Sequence, residues 1–125
     1  MILDTSFLID LFVNREAAVR LSKELELKEV IKTTSISVFE VYKSLKKKDK
    51  LDEIEKIFDS IIVLNFDKRS AKLAGKISQE LIKSGQEIDP EDCMISAITI
   101  LNNETLLTRN IKHFNRISGL SSKSY

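Results

Sequence analysis

Apolar and polar positions along the chain switch between strand-like and helix-like spacing. The apolar pair at 2–3 reads as a short strand that stops at Asp4. Thr5 or Ser6 can cap the helix that follows, in which apolar residues recur three and four positions apart. The same spacing predicts a second helix over residues 16–27. The chain therefore opens with one strand and two helices.

The middle of the chain repeats this order. Residues 30–36 alternate and are rich in β-branched side chains, which predicts a strand, and Ser37 is expected to begin the next helix. A lysine-rich break at 46–50 precedes a short helix with apolar residues between 54 and 58. The continuous apolar run at 61–64 has the length of a strand buried in a parallel sheet.

The last part carries two longer helices. Asp67 is predicted to start a helix that ends at Gly85. Pro90 lies in the first turn of the next helix, which is apolar on nearly every side over 93–101 and should be buried. Residues 105–108 read as a strand, followed by a polar loop and a short tail. Strands separated by helices predict an α/β fold, a three-layer α/β/α sandwich around a mainly parallel sheet.

The composition limits the number of domains, the cellular location and the partners that this chain can be expected to have. A chain of 125 residues with 42% hydrophobic residues fits a single domain, residues 1–125, with its own core. The single cysteine, Cys93, excludes an internal disulfide, which favours a cytoplasmic location. We expect no signal peptide and no membrane span. A net charge of +1 neither indicates nor excludes a nucleic-acid partner, so the local distribution of charge must decide.

Acidic residues follow the predicted strands at the positions where α/β proteins build their sites. Asp4 ends the first strand, and Glu40 lies in the first turn of the helix after the second strand. Asp92 lies in the first turn of the apolar helix, and Asn110 follows the strand that ends at Thr108. Sites in open α/β sheets form at the carboxyl ends of the strands. We therefore expect Asp4, Glu40, Asp92 and Asn110 to share one edge of the sheet.

Carboxylates that converge in this way need a counter-charge. Two like charges 4 Å apart repel by about 4 kcal/mol at an effective dielectric constant near 20. A divalent cation relieves this repulsion, and oxygen ligands suit Mg²⁺ or Mn²⁺. Such an ion can activate water for attack on a phosphodiester. The acids are thereby linked to nuclease chemistry.

Each acid also has a purely structural interpretation. Glu40 could close a capping box with Ser37, Asp92 could favour the helix dipole, and Asp4 could cap its helix. Asp10 is expected to be an exposed helix position, and Asp89 an N-cap or an acid behind the site. Taken singly these interpretations are the better ones; taken together, the agreement on one edge favours a site.

The ordered set of motifs resembles the PIN-domain ribonucleases, and within them the VapC-type toxins of toxin–antitoxin pairs. The segments that carry the resemblance span the chain: MILDTSFLID at 1–10, SVFEV at 37–41, DPEDCMISA at 89–97, LLTRNIKHF at 106–114 and ISGL at 117–120. No single motif is specific, but their order and spacing are. One departure concerns the last loop, where many members of the family have a fourth acid and this chain has Asn110.

The resemblance implies roles for these residues. Asp4 and Asp92 would be the main metal ligands, Glu40 would bind the metal directly or through water, and Asn110 would complete the catalytic set. Mg²⁺ or Mn²⁺ would be the cofactor and RNA the substrate. The resemblance also implies a homodimer held inactive by an antitoxin protein. The amide of Asn110 carries no charge, which weighs against the occupancy of a second metal position.

Basic residues near the acids are candidates for holding the RNA phosphates. Lys43 extends from the helix of Glu40, as do Lys46 and Lys47, while Arg109 and Lys112 flank Asn110. For the 46–50 run, a solvated helix end is the better interpretation. His113 is expected on the substrate side and not as a metal ligand.

Three other functions remain open from the sequence. A phosphatase or phosphoryl-transfer domain also places an acid after the first strand, but such phosphatases want a second acid where Ser6 stands. A binding module with a decayed site is favoured by Asn110. A nuclease of RNA maturation is the nearest alternative within the enzyme class.

Overall fold

The computed structural model describes residues 1–46 and 50–125. Lys47 and most of the predicted break at 46–50 therefore lie outside the described residues. Across the described residues, one or two helices separate each short strand from the next. In chain order the elements are β1 Ile2–Leu3, α1 Thr5–Phe12, α2 Glu16–Glu26, β2 Lys32–Thr34, α3 Ser35–Ser44, α4 Leu51–Ser60, β3 Ile62–Leu64, α5 Lys68–Lys83, α6 Pro90–Leu101, β4 Thr105–Leu107, α7 Ile111–Phe114 and β5 Ser121–Lys123.

The strands form one sheet in the order β3-β2-β1-β4-β5, and every neighbouring pair is parallel. The central strand β1 pairs on both sides, since Ile2 lies opposite Lys32 of β2 and opposite Leu106 of β4. The chain order changes direction next to β1, because β2 lies on one side and β4 on the other. Such a switch point is where ligands bind in open α/β sheets. The predicted fold class is confirmed.

Successive side chains of the central strands point to opposite faces of the sheet. Ile2 and Leu106 are fully buried in one cluster with α5, α6 and α7. Leu3 and Leu107 enter a second cluster with α1, α2, α3 and α4. Two hydrophobic cores on the two faces of one sheet account for the three layers. The two cores also determine which way the side chains of β1 and β4 point, and the site lies at the carboxyl ends of these strands.

The second predicted strand is shorter than its sequence suggested. β2 spans only Lys32–Thr34, and α3 begins at Ser35 instead of Ser37. The reason is the cap: the Thr34 hydroxyl accepts a hydrogen bond from the backbone N–H of Ser37 at 3.0 Å. The side chain that was expected to start the helix therefore lies in its first turn.

Two helices differ from their predicted buried stripes at three positions. The apolar spacing predicts a stripe of Ala17, Leu21 and Leu25 in α2, and one of Ala71, Ala74, Ile77, Leu81 and Ile82 in α5. In α2 the buried alanine is Ala18, whereas Ala17 is exposed. In α5 the residues Ala74, Ile77 and Leu81 are buried as expected, but Ala71 and Ile82 are exposed. The predicted end of α5 at Gly85 is correct, since this glycine adopts a positive φ of 69°.

Among the helices of the described residues, none combines the length and the apolar character that crossing a membrane would require.

Candidate active site

Asp4 follows the central strand and is held by two hydroxyl groups. Its backbone N–H donates to the carbonyl of Leu107 at 3.0 Å, so the residue extends the β1–β4 pairing by one rung. Its Oδ2 accepts hydrogen bonds from Ser6 Oγ at 2.8 Å and Thr108 Oγ1 at 2.7 Å. Asp4 occupies the N-cap position of α1, yet its side chain makes no capping bond. The structural interpretation of Asp4 as a helix cap is therefore wrong.

Asp4 as a whole residue is 3% exposed, and the two hydroxyl groups that donate to its carboxylate both bind the same oxygen, Oδ2. Its other oxygen, Oδ1, accepts no hydrogen bond from the part of the chain that the structure describes. An oxygen fixed in place and left without a protein donor is available to a ligand outside the chain.

Glu40 reaches the same region from the second turn of α3, and not from the first turn as predicted, because the helix begins at Ser35. Its Oε1 accepts a hydrogen bond from Thr5 Oγ1 at 2.7 Å, and Thr5 is the residue next to Asp4. The capping box predicted between Ser37 and Glu40 is wrong, because Thr34 supplies the cap and the Glu40 side chain turns toward α1.

Asp92 lies in the first turn of α6, as predicted, and its side chain is 16% exposed. Asp89 occupies the N-cap position of the same helix, but its side chain makes no capping bond there. The nearest basic partner of Asp92 is His113, whose Nδ1 lies 3.8 Å from Asp92 Oδ2. His113 therefore stands beside the acids, on the α7 side of the site.

The acids perturb one another. Burial raises the pKa of Asp92 from 3.8 to about 7, with further contributions from the charges of Asp4, Glu40 and nearby acids. Burial also raises the pKa of Glu40, the charge of Asp4 adds to this, and the hydrogen bond from Thr5 opposes it. The mutual repulsion places Asp4, Glu40 and Asp92 in one electrostatic cluster, as the strand-end argument predicts.

This cluster is suited to a hard divalent cation that keeps much of its own water. The donor oxygens come from carboxylates, which Mg²⁺ and Mn²⁺ prefer. Among residues 1–46 and 50–125, no three His, Cys, Asp or Glu side chains meet in a ready-made cage for a metal ion. Mg²⁺ is commonly held by one or two carboxylates and several waters, so the open arrangement fits it.

Asn110 joins the hydrogen-bond network of the cluster through its backbone and not through its side chain. It is exposed, occupies the N-cap position of α7 and makes no side-chain capping bond. Its backbone N–H donates to Thr108 Oγ1 at 3.0 Å, the same hydroxyl that binds Asp4. In the described contacts Asn110 thus supports Asp4 through its backbone, while a role for its amide stays a prediction.

The predicted phosphate-binding cations are in three different situations. Arg109 is half-exposed and donates from Nη1 to Asp10 Oδ1 at 2.6 Å. Lys43 lies over the exposed ring of Phe39, with Nζ 5.5 Å from its centre. Lys112 is exposed in α7. All three remain candidates for substrate contact.

Asp10 is the main residue that sequence analysis misjudged. It was expected to be exposed, but its side chain is 4% exposed and binds Arg109, Arg15 and Tyr125. The Tyr125 hydroxyl donates to Asp10 Oδ2 at 2.6 Å, and its ring packs edge-on against Phe7 with centres 4.8 Å apart. Burial and the Asp10 carboxylate raise the pKa of Tyr125 above its usual range. The available signal was an acid inside the apolar stripe of α1.

Known proteins are similar to this chain in sequence and in fold. The sequence matches the PIN domain over residues 1–120. It is 33% identical to Ribonuclease VapC3 of Methanocaldococcus jannaschii, over 78% of this chain and 95% of that protein. It is 28% identical to the tRNA(fMet)-specific endonuclease VapC of Shigella flexneri, over 98% of this chain and 96% of that protein.

Solved structures that are similar to this chain come from the same group of proteins as these relatives. The structure of DNA-bound VapBC from Salmonella typhimurium is similar over 98% of this chain and 96% of the solved chain, with a TM-score of 0.86 and 26% identity. VapBC-1 from nontypeable Haemophilus influenzae is similar over 98% and 96%, with a TM-score of 0.81 and 27% identity. The match to the family covers the segments that carry Asp4, Glu40 and Asp92. The chain belongs to the PIN-domain family, in which its relatives are VapC proteins.

Proposed function

We propose that the protein is an endoribonuclease that hydrolyses RNA phosphodiester bonds with Mg²⁺ or Mn²⁺, and that it is the toxin of a VapBC-type pair. One observation carries the catalytic part: Asp4, Glu40 and Asp92 come from three separate elements, and burial together with the charges of Asp4 and Glu40 raises the pKa of Asp92 to about 7. The ribonuclease and endonuclease names of the VapC relatives support RNA as the substrate.

The proposed roles follow from the contacts of each acid. Asp4 and Asp92 would hold the cation, and Glu40 would hold it directly or through water. When bound, the ion supplies an activated water and neutralises charge on the phosphate. The hydroxyls of Ser6 and Thr108 fix the Asp4 carboxylate, so its orientation does not depend on the substrate.

The remaining groups act on the substrate. Arg109, Lys112 and Lys43 would attract the RNA backbone, with the guanidinium able to form paired hydrogen bonds to one phosphate. Asn110 would orient water or substrate through its amide. The uncharged side chain at this position favours a single metal ion over a pair.

The decisive experiment compares Asp4→Asn with the wild type. The substitution keeps the shape of the side chain but removes its charge, and RNA cleavage in Mn²⁺ should fall by about 100-fold or more, as when a preorganised electrostatic partner of the transition state is lost. Asp52→Asn is the matched control, because Asp52 is an exposed acid in the first turn of α4. Cleavage products are resolved on denaturing gels, with and without EDTA.

The same assay separates the alternatives. Equal cleavage by Asp4→Asn and wild type would remove the proposed site, and no cleavage by a folded wild type in Mn²⁺ would favour an inert binding module. Hydrolysis of a simple phosphomonoester would favour the phosphatase alternative. That alternative has no support at Ser6, whose hydroxyl serves as a hydrogen-bond donor to Asp4.

The toxin assignment is supported by the VapBC complexes among the similar structures. We accordingly propose an antitoxin protein as partner, a homodimer as the assembly and the cytoplasm as the location. Induced expression should arrest growth, and co-expression of a small protein encoded next to this gene should relieve the arrest. If Asp4→Asn arrests growth as strongly as the wild type, RNA cleavage is not the toxic activity.

A further inference from the structure

Asp10 gathers two arginines on one carboxylate oxygen. Its Oδ1 accepts from Arg109 Nη1 at 2.6 Å and lies 3.1 Å from Arg15 Nε, while its Oδ2 accepts from the Tyr125 hydroxyl. The backbone adds a local tie, since the N–H of Arg15 donates to the carbonyl of Asp10 at 2.9 Å. Two guanidinium groups that share one oxygen must lie close to each other.

In the cluster of Asp10, Arg15 and Arg109, the negative group is buried and the positive groups are exposed. The anion is buried, with Asp10 4% exposed, whereas the side chains of Arg109 and Arg15 are 46% and 63% exposed. Two positive charges against one negative charge leave the cluster cationic, and its exposed part consists of guanidinium groups. Each guanidinium has five N–H donors, and the contacts with Asp10 use one from each. Most donors of both arginines are therefore presented to solvent.

The cluster is joined to the acidic site through the backbone. The N–H of Arg109 donates to Ser6 Oγ at 3.1 Å, and Ser6 donates in turn to Asp4 Oδ2. A phosphate bound by Arg109 would thus lie beside the acids that would hold the cation. The pair of arginines extends the cationic surface from β4 to the corner between α1 and α2, where Arg15 precedes Glu16.

We propose that Arg15 and Arg109 form a phosphate-binding subsite for the RNA backbone beside the cleavage position, and that Asp10 is the positioning residue that holds both guanidinium groups in place. This proposal rests on RNA being the substrate. The proposal adds Arg15 as a contact to the substrate. It also explains the buried Asp10, which takes no part in the hydrolysis step itself.

The first test measures how salt affects RNA binding. Fluorescence anisotropy of a labelled single-stranded RNA of mixed sequence, in EDTA to prevent cleavage, gives the Kd at several KCl concentrations. Arg15→Gln should weaken binding and reduce the slope of log Kd against log salt by about 0.7, the contribution of one single-strand phosphate contact. Arg20→Gln is the matched control, because Arg20 is an exposed arginine of α2 without a contact to Asp10.

The second test uses the sign of a charge change. Asp10→Asn removes a negative charge from a cationic surface, so charge alone predicts tighter RNA binding. Loss of preorganisation predicts the opposite, a roughly two- to tenfold weaker Kd, because two long side chains must be ordered during binding. In an Arg15→Gln, Arg109→Gln background, Asp10→Asn should no longer weaken binding.

Equal salt slopes for Arg15→Gln and Arg20→Gln, or no binding by the wild type at low salt, would overturn the subsite. Tighter binding by Asp10→Asn would overturn the positioning role. Should Asp10→Asn fail to fold in a thermal melt, Tyr125→Phe tests the same role, since it loosens Asp10 without changing its charge, and it should weaken binding in the same direction. The nuclease proposal is tested by a different result, the loss of metal-dependent cleavage in Asp4→Asn. That result does not depend on the Arg15, Asp10 or Tyr125 variants, so the two proposals can fail separately.

Discussion

Burial of Asp92 beside other acids makes the stability of the metal-free protein depend on pH in an unusual direction. The pKa of Asp92 lies at about 7 in the folded chain against an ordinary 3.8. Between these values the folded state holds a proton that the unfolded state has released, so folding loses stability as pH rises. The contribution is fully present below pH 3.8 and is gone above about pH 7. The perturbation that removes it is Asp92→Asn, which stays neutral throughout.

The size of the effect follows from the same two values. A difference from 3.8 to about 7 corresponds to about 4 kcal/mol at 1.36 kcal/mol per pKa unit, and it is an upper value because the folded site can relax. Asp92→Asn and wild type should be similarly stable near pH 4. At about pH 8 the variant should be more stable by up to about 4 kcal/mol. Since Asp92 and Glu40 repel each other, the measured difference belongs to the pair.

The assay is urea denaturation in EDTA from about pH 4 to about pH 8, with the free energy of unfolding plotted against pH. Asp52→Asn is the control and should run parallel to the wild type, because Asp52 is exposed. Parallel profiles for Asp92→Asn and wild type would refute the reasoning, since Asp92 would then titrate as an ordinary surface acid. His113 lies 3.8 Å away, so His113→Gln in both backgrounds identifies any part of the slope due to the imidazole.

Four further measurements address the site and the core. Tyr125→Phe leaves the buried Asp10 Oδ2 without its hydroxyl donor and should lower the free energy of unfolding by about 1.5–3 kcal/mol in urea denaturation; an unchanged value would show that the bond contributes nothing. Thr108→Val removes one of the two hydroxyl donors to Asp4 and should reduce cleavage by about 10- to 100-fold, whereas Thr105→Val at the start of β4, the strand that precedes Thr108, should not. Ile95→Ala, at a fully buried position of α6, should cost about 2–5 kcal/mol in the same denaturation assay. Mn²⁺ at a hundredfold excess over its Kd should stabilise the wild type by about 2.7 kcal/mol in thermal melts, and a melt insensitive to Mn²⁺ would contradict the proposed ion.

The parts of the fold that sequence analysis predicted are those with a strong hydrophobic period or a topological rule behind them. The apolar residues of α6 predicted a buried helix, and the carboxyl ends of parallel strands placed Asp4, Glu40 and Asp92 together without any contact being visible. Neither inference needed a precise boundary. An error of two residues at Ser37 left Glu40 in the same helix and near the same edge.

The parts that escaped prediction depend on single contacts between distant positions. Asp10 pairs with Arg109 and Tyr125, which lie far along the chain, and no local pattern announces such a bond. β5 was read as a polar tail because an edge strand is paired through its backbone, and the serines of Ser121–Lys123 carry no hydrophobic period. Hydroxyl groups such as Thr5 look like helix starts, and only the structure shows them donating to acids.

The backbone hydrogen bond between Asp4 and Leu107 ties the proposed catalytic acid to the alignment of the strands. Ile2 and Leu3 face opposite cores, so sliding β1 by one position would exchange its two faces and carry the acid away from Thr108. A chain that folds with β1 misaligned would therefore lose its chemistry together with its packing. Cleavage activity then reports correct assembly of the sheet. Substitutions that weaken the register of β1 should abolish RNA cleavage before they unfold the protein.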